Sequence, residues 1–137
     1  MYMKIVASCL CGSVRISCGT PAGPAAYCHC EDCRRCTGSA FTVSLPFRAD
    51  GFRVISGETD SFTKVADSGH ELTRHFCPNC GSPLYTSSPK HPDLVYVKAG
   101  TLDNSALVQP AYQSWCQSKV AWSTIGIGLP SYSKGRT

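Results

Sequence analysis

The chain has 137 residues, of which 42% are hydrophobic and 16% are charged, and its formal net charge is +4. This is the size and composition of a globular domain, so we expect a single domain over residues 1–137. No stretch reaches the roughly 18 apolar residues that a membrane-spanning helix needs. The basic residues do not cluster as nucleic-acid binding requires, so neither a membrane nor a nucleic acid is an expected partner.

The first residues and the number of cysteines indicate the cellular compartment. The segment before Cys9 has one lysine and too short an apolar run to be a signal peptide. The chain contains ten cysteines, and in a reducing compartment this density indicates metal binding rather than a disulfide framework. We therefore expect a cytoplasmic protein in which most cysteines serve as metal ligands.

Short strands are predicted along most of the chain, because runs rich in Val, Ile, Phe, Tyr and Thr alternate with Gly, Pro, Asp and Ser. In chain order these strands cover residues 14–18, 41–47, 52–56, 61–65, 71–76 and 94–99. The segment 61–76 reads as a hairpin turning at 67–69, and 31–38 reads as a helical turn ended by Gly38. The tail 131–137 is expected to fray. The pattern predicts a small, mainly β fold.

A tight knuckle at Cys77 and Cys80 is the strongest metal signal in the sequence. The two cysteines are separated by Pro and Asn and followed by Gly81, which permits the turn that zinc ribbons use. A redox CxxC pair is the alternative, but such pairs sit on βαβ scaffolds. Here strands are predicted on both sides of the motif, which favours metal binding.

Counting ligands divides seven cysteines into two zinc sites, because a structural zinc takes four ligands. One set is Cys9, Cys11, Cys77 and Cys80, and the other is Cys28, Cys30 and Cys33. Cysteines one residue apart, as in Cys9 and Cys11, would form a strained disulfide but can turn toward one ion. The first set is expected to hold a structural zinc, and closing the long loop between its halves should stabilise the fold.

The second set has three thiolates and an open fourth position, which is the arrangement of a catalytic zinc. Cys36 lies at CxxC spacing from Cys33 and would close this site if it became the fourth ligand. An iron–sulfur cluster on the same segment is a further alternative, although no proline follows Cys36 as such motifs usually have. His29 lies between two ligands and should point away from them if the backbone is extended.

Several blocks of residues, in this order, resemble the glutathione-dependent formaldehyde-activating (S-(hydroxymethyl)glutathione synthase-like) family, which includes centromere protein V. The blocks are Cys9-Leu10-Cys11-Gly12-Ser13-Val14, Cys28-His29-Cys30-Glu31-Asp32-Cys33-Arg34, Thr37-Gly38-Ser39-Ala40-Phe41, Arg74-His75-Phe76-Cys77-Pro78-Asn79-Cys80-Gly81 and Gly100-Thr101-Leu102-Asp103. The resemblance implies a β-tent fold similar to that of the Mss4 protein. It also implies a structural zinc on the first cysteine set and a catalytic zinc on Cys28, Cys30 and Cys33.

The activity implied by this resemblance is that of a carbon–sulfur lyase acting on a glutathione adduct of formaldehyde or another small aldehyde. The substrate thiol would take the open zinc position and be held there as a thiolate. Arg34 and Arg35 are close enough in sequence to bind its carboxylate, or they are solvated. One departure from the family pattern is Gln113, at a position where the family commonly has a histidine.

Three functional classes are open at this point. The first is the thiol–aldehyde enzyme, which requires an open three-cysteine zinc. The second is a binding module with purely structural zinc, in which Cys36 completes the second site. The third is metal storage or redox sensing by segment 28–36. The exposed aromatic residues could form a homodimer face or line a pocket.

Overall fold

The computed structural model describes residues 4–136, which form ten strands, one α-helix and four single-turn 3₁₀ helices. The strands are β1 (Ile5–Ser8), β2 (Arg15–Cys18), β3 (Ala26–Cys28), β4 (Thr42–Arg48), β5 (Arg53–Ser56), β6 (Asp60–Val65), β7 (Glu71–Phe76), β8 (Pro83–Ser87), β9 (Leu94–Lys98) and β10 (Tyr112–Ser114). Helix α1 spans Glu31–Thr37, and the 3₁₀ turns are Ala49–Gly51, Ala99–Thr101, Ser105–Leu107 and Cys116–Ser118. The prediction of a small, mainly β fold is confirmed.

Two sheets enclose the hydrophobic core. The smaller sheet is antiparallel and has the order β1-β2-β5. In β1, burial alternates with the two-residue period of a strand, so that Ile5 and Ala7 face inward. They belong to one cluster with Ile16 of β2 and with Phe47 and Leu84 of the larger sheet. The core therefore lies where the two sheets meet.

The larger sheet has seven strands in the order β10-β3-β4-β9-β8-β7-β6. All neighbouring strands in it are antiparallel except β10 and β3, which are parallel. The predicted hairpin is confirmed as β6 and β7. Its turn is closed by a hydrogen bond from the Gly69 amide to the Ala66 carbonyl, and Gly69 has a φ of 86°, a conformation that glycine adopts without steric cost.

Helix α1 confirms the helical turn predicted after Cys30. Cys30 is the N-cap, and its sulfur accepts a hydrogen bond from the Cys33 amide at 3.3 Å. Gly38 ends the helix with a φ of 70°, and its amide donates to the Arg34 carbonyl. The helix is therefore fixed at its start by a cysteine of the predicted metal set and at its end by a glycine cap.

Four strands, β1, β3, β8 and β10, were not predicted from the sequence. Each has only three to five residues, and such short runs give too few positions to show a period of two. The tail that was expected to fray instead lies alongside β10 and forms backbone hydrogen bonds with it. The Pro130 carbonyl accepts from the Gln113 amide, and the Tyr132 amide donates to the Gln113 carbonyl. This backbone pairing orders the tail as far as it is described, while Thr137 lies outside the described residues.

The sequence contains no apolar stretch long enough to predict a membrane-spanning helix. Within residues 4–136, no helix is both long enough and apolar enough to cross a bilayer.

Candidate metal centres and the adjoining cavity

The first cysteine cluster joins two hairpin turns from different sheets. Cys9 and Cys11 lie in the β1–β2 turn, while Cys77 and Cys80 lie in the β7–β8 turn, and all four sulfur atoms are within 4.8 Å of one another. The Leu10 amide also donates to the Ser82 hydroxyl across the two turns, at 2.9 Å. The fold therefore brings four sulfur atoms together between one hairpin turn of the smaller sheet and one of the larger sheet.

The spacing of these sulfurs fits thiolates around a single ion. Tetrahedral zinc with bonds of about 2.3 Å to sulfur would place its ligands about 3.8 Å apart. The Sγ atoms of Cys9 and Cys11 are 3.6 Å apart, and those of Cys11 and Cys77 are 3.8 Å apart. A disulfide needs about 2.05 Å between sulfurs. The cluster can therefore hold a metal ion and is not a pair of disulfides.

Local hydrogen bonds favour the thiolate form of two members of this first cluster, Cys80 and Cys11. The Ser82 hydroxyl, 3.2 Å from the Cys80 sulfur, lowers the pKa of Cys80 to about 5, and the Ser13 hydroxyl lowers the pKa of Cys11 to about 7. Backbone amides of Val14 and Cys80 also point at the sulfurs of Cys9 and Cys77. Donors aimed at sulfur are what deprotonated ligands require.

The second cluster is built by the end of β3 and the first turn of α1. Cys28 ends the strand, Cys30 caps the helix and Cys33 is the third helical residue, and their three sulfur atoms lie within 4.8 Å of one another. Cys33 is buried, whereas Cys28 and Cys30 are partly exposed. A strand followed by a capped helical turn thus directs three thiols to one point.

Three thiols this close cannot all ionise unless a cation joins them. Hydrogen bonds from the neighbouring thiols of Cys30 and Cys33 lower the pKa of Cys28 to about 3. Its thiolate in turn raises the pKa of Cys30 and of Cys33. Like charges at this separation repel strongly, and a bound metal ion removes that repulsion. The donor set and its electrostatics both fit a metal ion.

Cys36 does not join the second cluster. Among residues 4–136, no Cys, His, Asp or Glu places a fourth ligand atom within 4.8 Å of the three sulfurs. Cys36 is exposed, and its sulfur lies 3.5 Å from the Cys33 carbonyl, to which it donates a hydrogen bond. In the described part of the chain, three sulfur atoms are therefore available to a metal ion here, and that of Cys36 is not among them.

His29 faces away from the cluster, as predicted, and contacts Gln113. The Gln113 amide nitrogen donates to the Gly126 carbonyl and to the Ser131 hydroxyl, which fixes its oxygen toward His29. That oxygen is 2.8 Å from His29 Nε2, so Nε2 carries the proton. Both side chains are buried on the face of β3 and β10 that is opposite Cys28. Gln113 therefore has a structural role in a buried hydrogen-bond network. Having glutamine here, where the family commonly has histidine, removes no titratable group from the face of the sheet that carries Cys28.

We expect Gln113→Leu to destabilise the protein by about 1–3 kcal/mol, because it leaves the buried His29 without its hydrogen-bond partner and breaks the partly buried bond to the Gly126 carbonyl. Chemical denaturation measures this effect. The matched control is Gln117→Leu at an exposed position, which should change stability by less than about 0.5 kcal/mol. Equal effects of the two substitutions would contradict the network assigned to Gln113.

A cavity of about 340 Å³ opens beside the second cluster, and Cys28 and Cys33 form part of its wall. Its floor is one face of the larger sheet. Thr42 lies directly opposite Cys28 in the β3–β4 pair, and Ser44 lies opposite Lys98 in the β4–β9 pair. Residues opposite one another on adjacent strands project from the same face. The strand register therefore places a lysine and two hydroxyls on the face that carries the cluster.

The charged side chains that line this cavity are all basic. None of its lining residues within 4–136 is Asp or Glu. The basic members are His70, Arg74, Lys90, His91 and Lys98. Burial raises the pKa of Tyr96, which also lines the cavity. Apart from the sulfurs of Cys28 and Cys33, an anionic ligand would meet only basic groups among these charged side chains.

The arginines singled out from the sequence are not in this cavity. Arg35 forms an exposed ion pair with Glu31, four residues earlier on the same helix, which is a common and weak surface pair. Arg34 does not line the cavity either. Proximity in sequence to Cys33 therefore does not bring either arginine into the lining of this cavity.

Sequence reasoning did not identify Arg74 and Lys98 as site residues. Arg74 and Lys98 belong to β7 and β9, far from Cys28 in the chain, and reach the cavity only through the order of strands. An available signal was the lysine at the end of the otherwise apolar run Leu94–Lys98, since a lysine in a buried strand needs a partner.

Known proteins are similar to this chain in sequence or in fold. The model of the family described as glutathione-dependent formaldehyde-activating enzyme matches residues 4–118. A Halomonas elongata protein named "Putative glutathione-dependent formaldehyde-activating enzyme" is 33% identical over 108 residues, which cover 74% of this chain and 68% of that protein. A crystal structure of a Rhodobacter sphaeroides protein, a structural genomics target, superposes with a TM-score of 0.60 at 17% identity, covering 93% of this chain and 98% of the other. That last likeness concerns the fold alone.

Proposed function

The chain belongs to the family of glutathione-dependent formaldehyde-activating enzymes, and we propose that it is a zinc-dependent carbon–sulfur lyase acting on thiol adducts of small aldehydes. The observation that carries this proposal is the three-sulfur cluster with an open fourth position beside a cavity. Glutathione is the proposed thiol and formaldehyde the proposed aldehyde. Because the thiols must stay reduced, we expect the enzyme to act in the cytoplasm.

The two clusters are proposed to have different roles. Four cysteines, Cys9, Cys11, Cys77 and Cys80, would hold a structural zinc with a closed shell of ligands, because sulfur-only tetrahedral sites are characteristic of structural zinc. Cys28, Cys30 and Cys33 would hold a catalytic zinc. Such an ion supplies Lewis acidity, which lowers the pKa of a thiol that joins it.

The protein's own residues bind and orient the reactants. The cavity receives the thiol with its sulfur toward Cys28 and Cys33, and its basic side chains attract an anionic thiol. In the forward direction, the thiolate sulfur forms a bond to the aldehyde carbon, the carbonyl π electrons move to oxygen, and that oxygen takes a proton. In the lyase direction the hydroxyl loses its proton, the carbonyl re-forms and the carbon–sulfur bond breaks. Neither direction needs an oxidant or a reductant.

Exchange spectroscopy tests the proposal directly. Nuclear magnetic resonance can follow exchange of ¹³C-labelled formaldehyde between its hydrate and S-hydroxymethylglutathione. We expect the zinc-loaded protein to accelerate this exchange in proportion to its concentration, while an equal amount of free zinc does not. The Cys36→Ser variant should retain the full rate, because Cys36 lies outside the cluster. Absence of acceleration by the loaded wild-type protein would contradict the proposal.

A further inference from the structure

Lys98 is a buried cation without an anionic partner in the described chain. Its residue is only 8% exposed. The ammonium donates to the Thr42 hydroxyl at 3.0 Å and lies 3.5 Å from the Ser44 hydroxyl. Within residues 4–136, no carboxylate lies within ion-pair distance of it. Two neutral hydroxyls are therefore its hydrogen-bond partners.

This arrangement leaves the ammonium incompletely satisfied. A lysine has three N–H donors, and at most two are used here. Burying a cation away from water is costly unless it is paired with an anion, so isolated buried lysines are rare. Each hydroxyl that accepts from the ammonium can still donate its own proton to a further acceptor. The group is thus arranged to bind an acceptor with negative charge.

The ammonium is directed toward the second cysteine cluster. Lys98 is paired with Ser44, but its side chain reaches Thr42, which is the residue opposite Cys28. The ammonium is hydrogen-bonded to Thr42, and the strand of Cys28 lies about 4.8 Å beyond the strand of Thr42. A small molecule could contact both the ammonium and the Cys28 thiol at once.

The cysteine cluster does not itself neutralise the surrounding charge. Three thiolates around a divalent ion leave roughly one net negative charge, while Arg74 and Lys90 add two further permanent cations to the cavity wall. An excess of positive charge therefore remains on the sheet face, concentrated where it is least hydrated, at Lys98.

We propose that Lys98, with the hydroxyls of Thr42 and Ser44, binds a carboxylate of the substrate and so determines its specificity. The substrate class is a thiol that carries a carboxylate close to its sulfur, such as an amino-acid or peptide thiol, and neutral or cationic thiols are disfavoured. This inference rests on the proposed function, because it places the substrate sulfur at the second cluster. Lys98 contributes one charge-assisted hydrogen bond to substrate affinity.

The inference is tested by calorimetric binding of S-methylglutathione, which has the carboxylates of glutathione but no free thiol, to the zinc-loaded protein. Lys98→Met should weaken this binding at least tenfold, and the dimethyl ester of the same ligand should bind wild type at least tenfold more weakly. For the ester, wild type and Lys98→Met should be equal, because the interaction between lysine and carboxylate has already been removed. Lys134→Met removes an exposed lysine outside the cavity and should bind S-methylglutathione like wild type.

Thermal unfolding distinguishes the proposed binding role of Lys98 from a purely structural one, in which its replacement would destabilise the protein. Thermal unfolding without ligand should show Lys98→Met to be as stable as wild type or more stable, since methionine replaces an unpaired buried charge with a side chain of similar length. Unchanged affinity for S-methylglutathione in Lys98→Met, no binding of that ligand by wild type, or an equal loss of affinity for the ester would each overturn the inference. Failure of the proposed function has a separate signature, which is the absence of accelerated formaldehyde exchange.

Discussion

The Cys77→Ser variant is expected not to fold, although a serine differs from cysteine by one atom. Thiolate sites of this kind contribute about 10–16 kcal/mol when they bind zinc, whereas the net stability of a domain is only about 5–15 kcal/mol. Cys77 is fully buried, and its sulfur lies 3.8 Å from Cys11 in the other hairpin turn. Losing the ion would remove the link between the two hairpin turns and leave only the hydrophobic core to hold the sheets together. Far-ultraviolet circular dichroism and two-dimensional NMR should show an unfolded chain.

The matched control for this prediction is Cys116→Ser. Cys116 is partly shielded from solvent and belongs to neither cluster, so its replacement should leave the fold and the metal content unchanged. Removal of metal from wild type by a strong chelator should reproduce the unfolded state, and added zinc should reverse it. A folded and stable Cys77→Ser protein would show that the first cluster is not what holds the sheets together.

The Cys33→Ser variant should have the second largest effect, and the effect should fall on function rather than on the fold. The first cluster lies elsewhere in the molecule and is untouched, so the protein should remain folded with one bound metal ion in place of two. Formaldehyde exchange should drop by at least about a hundredfold, the scale of losing an essential electrostatic or nucleophile-activating group. Elemental analysis and the exchange rate measure the two parts of this prediction.

Cys36→Ser is the matched control for Cys33→Ser, since both residues lie on α1 three positions apart. It should keep two metal ions and the wild-type rate. Loss of the second ion in Cys36→Ser would mean that Cys36 is a ligand, and the site would then be closed and structural. Full activity in Cys33→Ser would remove the second cluster from the mechanism altogether.

The sequence predicts the two cysteine groupings well because metal ligands obey local rules. Spacings such as Cys77 to Cys80 are set by turn geometry, and counting to four leaves few ways of combining them. The hairpin ending at Phe76 and the helix ended by Gly38 were predictable for the same reason: their signals lie within a few residues. The structure assembles both sulfur groups as the spacing predicts.

The cavity beside the second cluster could not be predicted in the same way, because strand order determines its wall. Lys98 meets Thr42 across 56 positions of sequence, and no local pattern indicates which strands are neighbours. The arginines after Cys33 are the nearest cations along the chain, yet neither lines the cavity. The carboxylate-binding role proposed for Lys98 is therefore an inference from topology, whereas the candidate metal ligands follow from spacing.

The second cluster is proposed to have an open position for a substrate thiol. The visible spectrum of the cobalt-substituted protein tests this open position most directly. Adding glutathione should increase the sulfur-to-cobalt charge-transfer absorption and saturate at one equivalent per chain. The same increase is expected in Cys36→Ser, while S-methylglutathione should produce none. A wild-type spectrum indifferent to glutathione, with a response that appears only after Cys36 is removed, would contradict the claim, because it would show that Cys36 already occupies the fourth position.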